Sequence, residues 1–101
     1  MQVTTYKISI ETKKDLEKIW AYTFDTWSIE QANRYISQIF EEIEYISIKP
    51  ANGKDFSYVR KGYLRTKVKF HFIFYKIDNK NKVVEIIRIL HQRMDIENRL
   101  K

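Results

Sequence analysis

The residues that interrupt regular secondary structure are confined to one segment of this chain. Its single proline, Pro50, and its two glycines, Gly53 and Gly62, lie close together near the middle of the 101-residue sequence. Gly and Pro are the strongest local signals for turns and loops, so residues 50–62 are predicted to form the one long loop. This loop separates a first half with helical periodicity from a second half with strand-like alternation.

Two helices are predicted before the loop. Thr12 is expected to cap a helix over residues 13–26, and Ser28, followed by Gln31, forms a capping box that begins a helix over residues 29–48. Almost nothing separates the two helices, so they should pack as an antiparallel hairpin. The apolar positions expected to face the sheet recur at helical spacing and are Leu16, Ile19, Trp20, Ile36, Ile39 and Ile43.

Four segments carry the alternation and the β-branched or aromatic residues typical of strands. They are residues 2–10, 63–68, 71–77 and 83–90, with a turn over residues 78–82. The order is therefore β-α-α-β-β-β. It predicts a single α+β domain over residues 1–101, in which the N-terminal helical hairpin packs on one face of a mostly antiparallel sheet.

The strands over 71–77 and 83–90 are apolar on both faces, although two helices can cover only one. Phe72 and Phe74 are expected on one face and Ile73 and Tyr75 on the other, and Ile86 and Leu90 are likewise expected to oppose Ile87 and Ile89. Two alternatives remain open for the second face. A partner chain covers it, since exposed apolar patches mark interaction sites, or the loop over residues 51–61 or the C-terminal tail folds across it.

Composition limits the classes of function. The sequence contains no cysteine, which excludes disulfides and thiolate chemistry, and its formal net charge of +6 suits a nucleic acid or an acidic protein partner. No apolar run approaches the roughly 20 residues that span a bilayer, and the N-terminus lacks the apolar core of a signal peptide. A cytoplasmic protein without a membrane segment is predicted.

The first candidate site is the basic stretch "RKGYLRTKVK", residues 60–69. Arg65, Lys67 and Lys69 are expected to share a strand face, where they could meet phosphates or an acidic peptide. Lysine on an edge strand also protects a sheet against aggregation, so a solvated edge is the alternative interpretation.

The second candidate is a histidine pair. In the hairpin around residues 78–82, His71 is expected near Ile89, with His91 as its diagonal neighbour. Two imidazoles near Arg65 could act as general acid and base on a phosphodiester, because histidine titrates near neutral pH. The structural interpretation, with His91 bonded to the backbone at a strand end, is favoured. Two histidines do not make a metal site, and no cofactor is predicted.

The third candidate follows the last strand without a Gly or Pro. His91, Gln92 and Arg93 lie just beyond this scaffold, where functional residues often occur, and are predicted to serve a target or a partner. Residues 94–100 are expected to form a short docked helix. Met94 and Leu100 should anchor it, and Asp95 should orient Arg93 or cap the helix.

Five segments of the chain resemble the ParE branch of the RelE/ParE toxin superfamily. They are "WSIEQANRY" (27–35), "KPANGK" (49–54), "RKGY" (60–63), "HFIFYKI" (71–77) and "RILHQRMD" (88–95). The resemblance implies the toxic half of a type II toxin–antitoxin pair, neutralised by a ParD-like antitoxin. ParE-type toxins poison DNA gyrase on cleaved DNA by binding, and the resemblance implies only indirect DNA contact through the toxin–antitoxin complex.

The resemblance also leaves two alternatives. RelE-type relatives cut messenger RNA on the ribosome, and such a nuclease site would use Arg65, His71, His91 and Arg93, although no tyrosine occurs in "NRLK" at the C-terminus. The other alternative is a domain that has lost its target and survives as a partner-binding module. The residues predicted to contact the target or the antitoxin are Arg60, Tyr63, Arg65, Lys67, His91, Gln92 and Arg93.

Overall fold

The computed structural model describes residues 5–100 and confirms the α+β class. Its elements are β1 (Thr5–Ile8), α1 (Ile10–Thr26), α2 (Ile29–Ile48), β2 (Lys54–Asp55), β3 (Leu64–Val68), β4 (His71–Asp78), β5 (Val83–His91) and α3 (Ile96–Leu100), with a 3-10 turn at Pro50–Asn52. The sheet order is β1-β5-β4-β3-β2. β1 is parallel to β5 and the other pairs are antiparallel, as the predicted mostly antiparallel sheet requires. Among the described residues, no helix is long and apolar enough to cross a membrane.

The start of α1 differs from the prediction. Residues 2–4 of the predicted first strand lie outside the described residues, and its last two positions belong to the helix start. Ser9, not Thr12, is the N-cap, since its Oγ accepts the Thr12 N–H at 3.0 Å. Thr12 is buried inside the helix and donates its hydroxyl to the Ile86 carbonyl at 3.1 Å. The hydroxyls of Ser9 and Thr12 both donate to carbonyls of β5. The choice of cap therefore depends on a contact with a distant strand, and a local sequence pattern cannot show such a contact. The Ser28 cap of α2 is confirmed.

The helical hairpin packs on one face of the sheet as predicted, with one exception. Ile19, Ile39 and Ile43 are buried, and Leu16 and Ile36 pack partly buried against the same cluster. Trp20 does not belong to this cluster. Its indole N–H donates to the Asn33 Oδ1 of α2 at 2.9 Å, and its ring stacks on Phe24 of α1.

The register between β4 and β5 is shifted relative to the prediction. Asp78 pairs with Val83 at the turn, and a β-bulge follows, because Tyr75 pairs with Ile86 while Phe74 pairs with Arg88. The extra residue, Ile87, and the shift at the turn move the rest of β5 along β4. His71 therefore lies directly opposite His91, and the predicted pairing with Ile89 is wrong.

The bulge also changes which residues share a face. Ile86 and Ile89 both pack under the helices, whereas Ile87 and Leu90 belong to the cluster on the opposite face. The predicted grouping of Ile86 with Leu90 is wrong, because an extra residue reverses the alternation of a strand beyond it.

The second face of the sheet is covered by the chain itself. Phe56 and Val59 from the long loop, and Ile96 and Leu100 from α3, pack with the sheet residues of this face. The residues of this face are the strand residues Phe72, Phe74, Ile87 and Leu90, together with Tyr63, which directly precedes β3. Of the two alternatives, coverage by the loop and the tail is the correct one, and both segments contribute.

Leu90→Ala is expected to lower the free energy of unfolding by about 2–5 kcal/mol, because a fully buried large side chain leaves a cavity when truncated. Leu90 is 1% exposed and belongs to the same apolar cluster as Phe74 and Leu100 on the second face of the sheet. Urea denaturation measures the change. Ile10→Ala, at a side chain 67% exposed, is the matched control and should stay within about 0.5 kcal/mol. Equal effects at the two positions would contradict the burial of Leu90 in the apolar cluster on the second face of the sheet.

Candidate functional site

A groove of about 700 Å³ runs between the helical hairpin and the ends of β4 and β5. Four cationic side chains from four separate segments line it: Lys18, Arg34, Lys69 and Arg93. Four large apolar or aromatic side chains, each at least 41% exposed, line it as well: Tyr22, Trp27, Phe70 and Met94. We call this surface the groove.

The charged side chains that line the groove are all positive. Among the described residues that line it, none is an aspartate or glutamate. Trp27 is 71% exposed and Tyr22 is 69% exposed, which is unusual for aromatic rings that have no role in binding. A surface that combines exposed rings with unneutralised cations fits a partner that is both apolar and acidic.

One wall of the groove is built from the turn between β3 and β4 and from the end of β5. Lys69 adopts the left-handed region with a φ of 47°, which turns the chain sharply between the two strands. The Gln92 N–H donates to the Phe70 carbonyl at 2.9 Å, and the Phe70 ring stacks on His91 with centroids 6.5 Å apart. These contacts join the two segments into a single wall.

Tyr35 connects this wall to α2. Its hydroxyl lies 3.0 Å from the Val68 carbonyl and 2.6 Å from the His71 Nδ1, and it accepts the Phe70 N–H at 3.4 Å. Burial raises the pKa of Tyr35, so the hydroxyl stays protonated and able to donate. The groove is therefore held by a polar network at its base, and the exposed side chains that line it lie above this network.

The histidine pair belongs to this base. Burial and, secondarily, repulsion by His91 when that ring is protonated lower the pKa of His71 to about 4, so His71 is neutral at neutral pH. The rings of His71 and His91 lie edge to face at 5.1 Å. The His91 Nδ1 accepts the Arg93 N–H at 3.1 Å, which places the ring proton of neutral His91 on Nε2. A pKa of about 4 does not suit general acid catalysis near neutral pH.

The lowered pKa of His71 predicts a dependence of stability on pH. The unfolded chain binds a proton near pH 6.5 and the folded chain only near pH 4, so stability falls as the pH drops between these values. We expect a loss on the order of 1–2 kcal/mol, discounted because the imidazole is partly exposed. Urea midpoints at pH 7 and pH 4.5 test this. His71→Asn should lose less than the wild type over that interval, and parallel curves would contradict the assignment.

The structure divides the predicted site residues into two groups. His71, His91, Gln92 and Arg93 come together in the groove. Arg65 lies on the opposite sheet face, beside Phe72 and Phe56. The proposed nuclease set of Arg65, His71, His91 and Arg93 is therefore separated by the sheet.

The remaining members of the predicted binding set also lie away from the groove. Tyr63 is buried in the apolar cluster on the second face of the sheet, so its ring is not available to a partner. The Arg60 Nη1 donates to the Leu100 carbonyl at 3.4 Å, and Lys67 is exposed on β3. Lys69, which was expected on the same face as Arg65 and Lys67, lies in the turn and lines the groove.

The tail only partly follows the prediction. Leu100 is buried and docks α3 as expected, but Met94 is 41% exposed and lines the groove. The prediction for Met94 is wrong, because the chain turns at His91–Met94 before the helix begins. Asp95 accepts the Asn98 Nδ2 at 2.5 Å, and within residues 5–100 it forms no ion pair with Arg93.

Sequence reasoning missed most of the groove. Trp27 and Phe70 were assigned no role in binding, yet both are largely exposed and line the groove. The one signal that was available is the spacing of Lys18 and Tyr22, four residues apart on α1 and outside its apolar stripe. Within the described residues, no three potential metal ligands come together.

Comparisons of the sequence and of the fold with known proteins both find toxins of type II toxin–antitoxin systems. A family model described as the ParE toxin of type II toxin–antitoxin system, parDE, matches residues 6–96. "Toxin ParE1" of Caulobacter vibrioides is 38% identical over 90 residues, which cover 89% of this chain and 91% of that protein. "Toxin ParE1" of Mycobacterium tuberculosis is 30% identical over 95 residues, which cover 94% and 96%.

Two solved structures share the fold. One is titled a chromosomal ParDE toxin–antitoxin system from P. aeruginosa, with a TM-score of 0.74 at 15% identity, covering 88% of this chain and 96% of that one. The other is titled the toxin–antitoxin complex RelBE2 from Mycobacterium tuberculosis, with a TM-score of 0.69 at 20% identity, covering 93% and 97%. At these identities the similarity concerns the fold.

Proposed function

The chain belongs to the ParE toxin family of type II toxin–antitoxin systems, and we propose from this that it stops growth by binding DNA gyrase through the groove. In this proposal the toxin catalyses no reaction. It stabilises the gyrase complex with cleaved DNA and so blocks replication, and it contacts DNA only indirectly.

The observation that supports a binding role is the convergence of cations and exposed rings on the groove, one wall of which has its backbone held by hydrogen bonds. Lys69, Phe70 and Arg93 are placed by backbone contacts that join the turn to the end of β5. A surface fixed in this way loses little conformational entropy when a partner docks, which favours affinity.

A catalytic role has weaker support. The two imidazoles of the predicted nuclease set lie in the groove, but His71 has a pKa of about 4 and is bonded to Tyr35. Arg65 lies across the sheet, beside Phe72, and is not available to the same substrate. Ribonuclease activity on the ribosome is therefore the second candidate, and the experiment below includes it.

The partner that neutralises the toxin is proposed to be a cognate ParD-like antitoxin. The two solved structures that share this fold belong to toxin–antitoxin systems, ParDE and RelBE2, which supports this class of partner. An antitoxin segment that covers Tyr22, Trp27 and Phe70 would bury much apolar surface. Calorimetry should then show a large negative heat-capacity change, and a value near zero would count against burial of these rings.

The decisive experiment separates gyrase from messenger RNA as the target. Purified toxin is incubated with gyrase, ATP and supercoiled plasmid, and the products are examined after denaturation of the enzyme. We expect linear DNA to accumulate with toxin concentration, and we expect intact messenger RNA in a translating extract with the same toxin.

Its outcomes distinguish the three interpretations. Cut messenger RNA without gyrase-cleaved DNA would replace the proposal by the ribonuclease. Neither product, together with normal growth on induced expression, would leave a partner-binding module that has lost its target.

A further inference from the structure

The turn between β3 and β4 has an unusual sequence for its geometry. Val68 pairs with His71, so the turn consists of two residues, Lys69 and Phe70. Two-residue hairpin turns need a positive φ at one or both residues and are usually formed by Gly, Asn or Asp. Lys69 supplies the positive φ, at 47°, and neither turn residue is one of those types. The local sequence therefore does not favour the turn that the chain forms.

The turn between β4 and β5 provides a comparison. Lys82 in that turn also has a positive φ, of 57°. There the neighbouring side chains favour the turn, because Asp78 accepts the Asn81 N–H at 3.1 Å and the Asn81 Nδ2 at 2.8 Å. The second turn is held by its own residues, whereas the turn at Lys69 depends on contacts from other segments.

The hydroxyl of Tyr35, on α2, supplies most of these contacts. It bonds to the Val68 carbonyl, to the Phe70 N–H and to the His71 Nδ1, which lie before, within and after the turn. The Gln92 N–H adds one further contact, to the Phe70 carbonyl. Strained backbone conformations persist where the surrounding structure determines them, and here a single half-buried hydroxyl makes three of the four contacts.

The strained turn determines where two side chains of the groove lie. Lys69 and Phe70 are both exposed, and both line the groove. The left-handed conformation is unfavourable for lysine, because its Cβ comes too close to the following carbonyl oxygen, and glycine would avoid this contact. Strain of this kind is concentrated at functional sites, where one side chain is needed in one place.

We propose that Tyr35 is a positioning residue of the groove, whose hydroxyl holds the strained turn so that Lys69 and Phe70 face the target. Tyr35 acts through the turn and does not itself touch the target. The inference rests on the proposed function of the groove as the target-binding surface. It adds that α2 sets the conformation of one wall, and that Lys69 lowers the stability of the fold at the position where it contributes to binding.

The first test removes only the hydroxyl. Tyr35→Phe keeps the ring, and Tyr45→Phe is the matched control, since Tyr45 is on the same helix, accepts the Asn52 Nδ2 at 3.0 Å and lies outside the groove. Tyr35→Phe should raise the toxin concentration for half-maximal DNA cleavage by gyrase about fivefold, and weaken growth inhibition. The backbone chemical shifts of Lys69 and Phe70 should move in this variant and stay unchanged in Tyr45→Phe.

The second test relieves the strain. Lys69→Gly and Lys82→Gly each remove one exposed lysine with a positive φ, and Lys82 lies outside the groove. Both variants should raise the thermal midpoint by roughly 2–6 °C. Growth inhibition should weaken in Lys69→Gly and stay at the wild-type level in Lys82→Gly. A gain in stability with a loss of toxicity at position 69 alone is the expected signature.

The third test asks whether Tyr35 acts through the turn. In Lys69→Gly the turn is no longer strained and has no cation to place. Adding Tyr35→Phe to that variant should therefore weaken toxicity by less than about twofold, compared with about fivefold in the wild type. A general loss of stability would instead give the same factor in both backgrounds.

Three results would overturn the inference. They are a Tyr35→Phe variant as toxic as the wild type, unchanged chemical shifts at Lys69 and Phe70, and equal factors for Tyr35→Phe in the two backgrounds. A wild type without any effect on growth would overturn it as well, since the turn would then face no target. A wild type that inhibits growth without gyrase-cleaved DNA would refute only the proposed target, and the growth assay would still decide the role of Tyr35.

Discussion

Asp15→Ala is expected to lower the free energy of unfolding by about 3–5 kcal/mol, the range found when one partner of a buried ion pair is removed. The Asp15 carboxylate is 8% exposed and accepts two hydrogen bonds from Arg88, at 2.8 and 2.9 Å. It also accepts the Ile89 N–H at 3.0 Å. Alanine would leave a guanidinium and a backbone donor without partners beside the β5 bulge.

This loss would be a large part of the total stability of a small domain, which is typically about 5–15 kcal/mol. Urea denaturation measures it, with Lys14→Ala on the exposed side of α1 as the control, expected within about 0.5 kcal/mol. Asp15→Asn should fall between the two, because the amide oxygen can still accept the Ile89 N–H. A loss below 1 kcal/mol for Asp15→Ala would show that this carboxylate does not connect α1 to β5.

Arg93→Ala is expected to abolish growth inhibition while changing the free energy of unfolding by less than about 1 kcal/mol. Arg93 is exposed and lines the groove, and among the described residues its side chain forms no ion pair. Its backbone N–H, which bonds to His91, is retained in the variant. The expected effect is therefore on the partner and not on the fold.

Growth after induced expression and urea midpoints are measured together for this variant. Lys80→Ala is the matched control, since it removes one positive charge from an exposed turn outside the groove and should remain toxic. Arg93→Lys should retain part of the toxicity if charge is the main requirement. A stable Arg93→Ala protein that is fully toxic would show that Arg93 does not contact the target. An unfolded variant would show that the segment after β5 serves the stability of the fold.

The sequence determined most of the elements of this protein because they depend on nearby residues, although it did not predict the two-residue β2 inside the loop or the start of α1 at Ile10. The period of the apolar positions and the Ser28 cap located α2, and the alternation of aromatic and β-branched residues located β3, β4 and β5 to within a residue at each end. The confinement of Pro50, Gly53 and Gly62 to one segment located the loop. The family resemblance rested on the same local segments.

The contacts between elements were decided by the tertiary structure. The bulge at Ile87 reversed the alternation of β5 and brought His71 opposite His91, and no local pattern marks where a strand will accept an extra residue. The second face was covered by Phe56 and α3, because the loop and the tail have apolar residues whose destination depends on the whole chain.

The candidate site shows the same division. His91, Gln92 and Arg93 could be predicted because they follow directly on a strand that the sequence reveals. Lys18 and Trp27 could not, since they reach the groove from α1 and its C-cap, more than sixty positions before His91 in the chain. The basic residues of one continuous stretch were separated, with Arg65 on one sheet face and Lys69 in the groove on the other side. Alternation along a strand and the turn at its end determine the face of the sheet on which each side chain lies. The packed structure determines which residues contact that face.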